Sequence, residues 1–132
     1  MYSRSAETRG SVSAFVVCVS AALVLCGLFV VESGRFAREY LRVSDVAENA
    51  ARIGGQSIIG IREGNPRLDP TAARDGALAY MQQQGVQGDL WVNASGTVSV
   101  RARVSVRLPG LAFVGVTSRS LDIVRTARSV DG

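Results

Sequence analysis

Histidine is absent from the 132 residues, and so is lysine. Without histidine the chain lacks the commonest general base and the commonest metal ligand. No G-x-S-x-G elbow occurs either, so a hydrolytic serine triad has no support. The two cysteines, Cys18 and Cys26, both lie in one apolar run. This excludes a disulfide framework or a cysteine-based zinc site in the rest of the chain. Aromatics are sparse, with one tryptophan, Trp91. All 15 basic residues are arginines, scattered from Arg4 to Arg128, and the formal charge is +4. Segments that bind nucleic-acid phosphates cluster their cations and interleave aromatics, and this chain does neither. The composition therefore leads us to expect no catalytic role, cofactor, metal, nucleic-acid partner or small-molecule substrate.

Charge is missing again, locally, from Ser11 to Val31. A helix of this length spans roughly 30 Å, the thickness of a bilayer core. A core helix of a soluble protein rarely stays apolar on every face for so long. A cleaved signal peptide has a shorter apolar region of about 7–15 residues and a small-x-small cleavage site. Here the run ends in Val30-Val31-Glu32-Ser33-Gly34-Arg35. Neither cysteine follows the small residue that a lipoprotein signal requires. The run is expected to be an uncleaved membrane anchor. Within it Ala14, Cys18, Ala22 and Cys26 recur at spacing four, a stripe of small residues along which another helix can pack closely. Charge alone does not orient the anchor. Arg4 and Arg9 precede it, Arg35, Arg38 and Arg42 follow, and long domains translocate largely regardless of such flanks.

Proline is absent until Pro66, so nothing breaks the helix at the membrane exit. Phe36, Tyr40, Val43, Ala47 and Ala50 form an apolar stripe, and charged residues occupy the other faces. One helix is predicted from about Val12 to Ile53, stopped by Gly54-Gly55. A loop covers Gln56 to Leu68. Asp69-Pro70 then starts a second helix, with Ala77, Leu78, Tyr80 and Met81 on its apolar side, ending near Gln84.

Beyond Gly85 the period becomes two. Leu90–Ala94 reads as a strand and Ser95-Gly96 as a turn. Val98, Val100, Ala102, Val104, Val106 and Leu108 then alternate with Ser99, Arg101, Arg103, Ser105 and Arg107. Pro109-Gly110 ends this strand, and a third is predicted over Arg119–Arg128. The fold class is α+β: a long helix, a second helix and a small antiparallel sheet. The outward Arg101, Arg103 and Arg107 suit a solvated face that resists sticky pairing; contact with acidic lipid headgroups is the functional alternative. The apolar connector Leu111–Val116 fits exposure to a membrane or a neighbouring subunit as well as burial under the sheet. Asn93-Ala94-Ser95 matches a glycosylation acceptor, in a turn where Asn and Ser are expected anyway.

The order Arg9-Gly10-Ser11-Val12, apolar helix, Glu32-Ser33-Gly34-Arg35 and an alanine-rich helical stretch from Asp45 resembles the TadE-like (TadE/TadG-related) proteins of bacterial tight-adherence (Flp) pilus systems. Matching detail covers roughly residues 9–55. The resemblance implies a non-catalytic minor pilin-like protein, or pseudopilin, that takes part in assembling a pilus or a related secretion apparatus. It implies a leader-like cytoplasmic tail (1–10), a transmembrane helix (11–33), an amphipathic continuation (34–55) and an extracytoplasmic α+β domain (56–132). The location implied is the bacterial cytoplasmic membrane, with a single pass and the N-terminus inside. Partners would be other pilin-like or assembly proteins of that membrane. A prepilin peptidase would cut between Gly10 and Ser11. Five residues after that bond, where pilin-like helices usually carry Glu, this chain has Phe15. The alternative is a single-span anchored binding module for envelope ligands or anionic lipids.

Overall fold

The computed structural model describes residues 5–59, 61–65 and 67–128. Helix α1 runs unbroken over Ser5–Gly55, 51 residues, or roughly 75 Å. Residues 1–4 of the leader-like tail lie outside the described residues. Side chains from Gly10 to Val31 are exposed all round, while those beyond alternate between buried and exposed. Ser33-Gly34 does not interrupt the helix. The same rod thus has two halves of different character, one apolar and bare, the other amphipathic and packed.

The packed half carries the core. Val43, Val46, Ala47, Ala50 and Ala51 are buried. Tyr40, expected on this stripe, is instead 40% exposed. The inward position of its turn goes to Glu39, which is half-buried. Helix α2 (Pro70–Gln83) lies against α1 through Ala73, Ala77 and Met81. These contacts are made largely by alanine, so the two helices approach closely and large side chains fill only the margins. Asp69 caps α2 as expected, its carboxylate accepting from the Thr71 and Ala72 amides at 2.9 and 3.2 Å. Gly85 follows the helix with φ +68°, a left-handed turn that glycine adopts without a steric penalty.

The stretch from Gln56 to Leu68, expected as a plain loop, contains a short antiparallel ladder. β1 (Ile58–Ile59) pairs with β2 (Arg67–Leu68). The main sheet is a three-stranded meander, β3 (Gln87–Val92), β4 (Thr97–Arg107) and β5 (Ser118–Arg128), all antiparallel in the order β3-β4-β5. Its inner face sets Leu90, Val98, Val100, Ala102 and Ile123 on α1 and α2. Strand β3 begins three residues earlier than its apolar pattern, and Asn93-Ala94 falls in the turn rather than in the strand. The inward position at its start is Gly88. A methyl group there would run into the Arg101 carbonyl oxygen and the Met81 side chain. The close approach of α2 and β4 removes the apolar residue that would have marked the strand.

One polar tie joins the helices. Arg42 donates to Glu39 and, through Nη1, to the Gln84 carbonyl at the end of α2, at 3.1 Å. The hydrogen bond from Arg42 holds the Glu39 carboxyl below the ordinary glutamate value, and Arg42 is raised in turn.

Two outcomes follow from these contacts. Gly88→Ala is expected to cost about 1–3 kcal/mol through overpacking, read as a lower thermal midpoint of the full chain in detergent. A carboxyl depressed in the fold stabilises above its unfolded pKa and loses that contribution as pH falls through its folded value. Glu39→Gln should therefore lower stability at neutral pH by about 0.5 kcal/mol, since the pair is still partly open to solvent, read as a slightly lower midpoint. In acid, below the ordinary glutamate range, the variant and the native chain should converge.

Candidate functional site

Helix α1 is long and apolar enough to cross a membrane. The polar chemistry nearest that apolar half gathers where it ends, at Glu32. Glu32 is 5% exposed, the one buried charged residue among those described. Its Oε1 accepts a hydrogen bond from the Gly110 amide at 2.9 Å. The Arg35 guanidinium lies 3.8 Å from the same oxygen. Oε2 is buried with no hydrogen-bond partner among the described residues. An intramolecular hydrogen bond contributes about 0.5–1.5 kcal/mol net, and removing the acceptor leaves the buried donor unsatisfied at a cost of about 1–3 kcal/mol.

The sequence around Gly110 builds the other side of this latch. Strand β4 runs to Arg107, and Pro109 opens a 3-10 helix over Pro109–Val114. Pro109 fits that first position because its nitrogen has no hydrogen to satisfy. Gly110 follows, and a side chain there would displace the Glu32 carboxylate from its present place. Gly115, with φ +84°, closes the turn and sends the chain into β5.

This turn stands beside α1, not under the sheet. Leu111, Phe113 and Val114 line a groove of about 630 Å³ with Leu25, Cys26, Phe29 and Val30 of the apolar half. A smaller cleft of about 190 Å³ adjoins it, walled by Glu32, Phe36, Leu108 and Arg119. Phe113 and Val114 are 60% and 59% exposed. Of the two alternatives for the connector, exposure is the outcome.

The expected site residues are distributed along α1. Gly10, Ser11 and Phe15 are exposed; the Arg9 side chain lies outside the described residues. Gly10 and Glu32 stand roughly 33 Å apart along the helix, so the two ends of the motif do not form one site. At the other end Arg35 pairs with Glu32, whereas Gly34 joins neither and its carbonyl accepts from Arg38 at 3.3 Å. Ala14, Cys18, Ala22 and Cys26 are all exposed, and both thiols are free. Cys26, at the end of that stripe, faces the groove beside the turn.

The outer face of the sheet is less uniformly basic than its sequence. Arg101 and Arg103 both lie 3.6 Å from Asp122 on β5. The Arg101 guanidinium also sits over the Trp91 ring, 5.6 Å from its centre. Exposed ion pairs contribute about 0–1 kcal/mol each. On the inner face Arg125, whose place in the β5 alternation is an inward one, donates to the Ser44 hydroxyl at 3.1 and 2.8 Å.

The Gly110 side of the latch was not visible in the sequence. Its signal is the uncharged Leu108–Thr117 stretch between Arg107 and Arg119, and nothing in that stretch names Glu32, 78 residues away. No protein-family profile, curated protein or solved structure matches the chain.

Glu32→Ala is expected to release the turn at a cost of about 1–3 kcal/mol, whereas Glu32→Gln keeps an oxygen acceptor for the Gly110 amide. Amide hydrogen exchange over 108–116 should speed up in the alanine variant and stay near native in the glutamine one. Equal exchange in all three chains would refute the latch.

Proposed function

We propose that the chain is a TadE-like minor pilin-like protein, or pseudopilin, that takes part in assembling a Flp/Tad-type pilus or a related secretion apparatus. The observation that carries this reading is the single helix, bare and apolar over one half and packed beneath an antiparallel sheet over the other. Such a subunit is held in the bacterial cytoplasmic membrane by its apolar half, with the N-terminus inside and the α+β domain outside. It works by contact rather than by chemistry. Its partners are other pilin-like or assembly proteins of the same membrane, and the stripe Ala14, Cys18, Ala22 and Cys26 supplies a close-packing face for their helices. Gly10 and Ser11 are exposed, as the processing of a leader at that bond requires. Phe15 replaces the glutamate that would await a neighbour's amine, so this subunit would enter an assembly without that pairing.

A second reading is an anchored binding module for envelope ligands or anionic lipids. The outward row Arg101, Arg103 and Arg107 favours it. Asp122, beside the first two, takes up part of that charge and makes it the weaker of the two.

Protease access to a C-terminal tag in intact cells and spheroplasts tests the topology. The tag is expected to be cut in spheroplasts, and a tag protected there until lysis would overturn the proposal. Mass spectrometry of the same preparations reads the N-terminus. Loss of residues 1–10 in cells with a prepilin peptidase is the expected product of processing.

A further inference from the structure

We infer that the Pro109–Val114 turn is a second membrane contact, a wedge that enters the acyl layer beside α1 and shares its lipid. With α1 read as a membrane span, as proposed above, the position of the turn follows from the latch. The Glu32–Gly110 bond fixes the turn at the end of the uncharged run. From there the groove between turn and helix extends to Leu25, seven residues before Glu32, or roughly 10 Å along the axis. Interfacial elements bury their apolar faces to about 5–10 Å in the same way. A span that places Leu25 to Val30 among acyl chains therefore places Phe113 and Val114 there too.

The turn is built for that solvent. No charged residue occurs between Arg107 and Arg119. Lipid offers backbone amides no partner, so a chain at that depth must satisfy its own. The Leu108 amide donates to Thr117, that of Gly110 to Glu32, that of Leu111 to Leu108, that of Gly115 to Ala112 and that of Val116 to Leu111, and Pro109 has none to satisfy. Apart from the weakly polar Cys26 thiol, the groove between turn and helix is lined by Leu, Phe and Val side chains, which suits an acyl chain. Arginines edge this apolar wedge: Arg35 and Arg38 follow Glu32 on α1, and Arg107 and Arg119 flank the turn, all exposed. Long cationic side chains at this depth reach the phosphate layer while their stems lie along apolar surface. The occupant of the groove is thus bilayer lipid, which meets Cys26 at the end of the small-residue stripe and leaves Ala14, Cys18 and Ala22 to a partner helix.

Site-directed fluorescence tests this in the full chain reconstituted into phosphatidylcholine vesicles containing phosphatidylglycerol. In a Trp91→Phe background, Phe113→Trp and, separately, Val114→Trp place the sole indole on the wedge. Leu23→Trp in the same background reports the span itself. The expected result is loss of emission at 113 and 114 with lipids spin-labelled near the headgroup, little loss with aqueous iodide, and quenching at 23 by labels deep in the chain. Quenching at 113 and 114 by iodide alone, with 23 still quenched by deep labels, overturns the wedge and leaves the span standing. Protection from both quenchers at 113 and 114 shows a second copy of the chain or another protein in the groove, and also overturns it. No lipid quenching at 23 removes the span, and the wedge with it.

Discussion

A carboxylate withdrawn from water has to be met by donors, and Glu32 is met by a backbone amide 78 residues further along the chain. That single bond joins the end of the apolar half of α1 to the connector between the two long strands. A side chain at position 110 would push that carboxylate from its present place, so glycine there leaves the bond undisturbed. The bond holds Leu111, Phe113 and Val114 beside Leu25 to Val30. The height of the domain on the helix is set by the packing of α2 and the sheet on Val43 to Ala51, and the bond adds a polar tie at the end of the apolar half.

The remainder of the domain rests on the second half of the same helix. Alanines at 47, 50, 51, 73 and 77 are buried there, and they bring α1, α2 and the sheet close together. Small contacts of this kind gain little individually. They work because the meander β3-β4-β5 covers them with valine, leucine and isoleucine, and because Arg42 and Arg125 tie α2 and β5 to α1 at the margins. The helix is therefore scaffold for the domain over one half and bare over the other, without a hinge between.

Much of this was legible in the residues. The uncharged run, its continuation past Glu32, the Asp69-Pro70 start of α2 and the alternation of β4 each follow from local rules that one segment obeys alone. What escaped is relational. Tyr40 fits an apolar spacing but turns outward, and the Glu39–Arg42 tie occupies the neighbouring position. The beginning of β3 is hidden because Gly88 makes room for Met81. Glu32 carries the sequence signature of a charge at a membrane boundary, and only the fold shows that it is buried and which amide it meets. The same holds for Arg125, an inward arginine that makes sense once Ser44 is seen opposite.

The absence of any break in α1 has a consequence of phase. The distance from the apolar run to the sheet is counted in residues, and each residue is also an angle. Adding one residue between Val31 and Glu32 would lift the domain by about 1.5 Å and swing it by about 100° around the rod, so that it would look toward a different neighbour. Adding seven would return it to nearly the same bearing, about 10 Å further out. A residue added in the exposed stretch 62–65 between β1 and β2 would leave that bearing unchanged, whereas along α1 each one counts like a tooth on a gear.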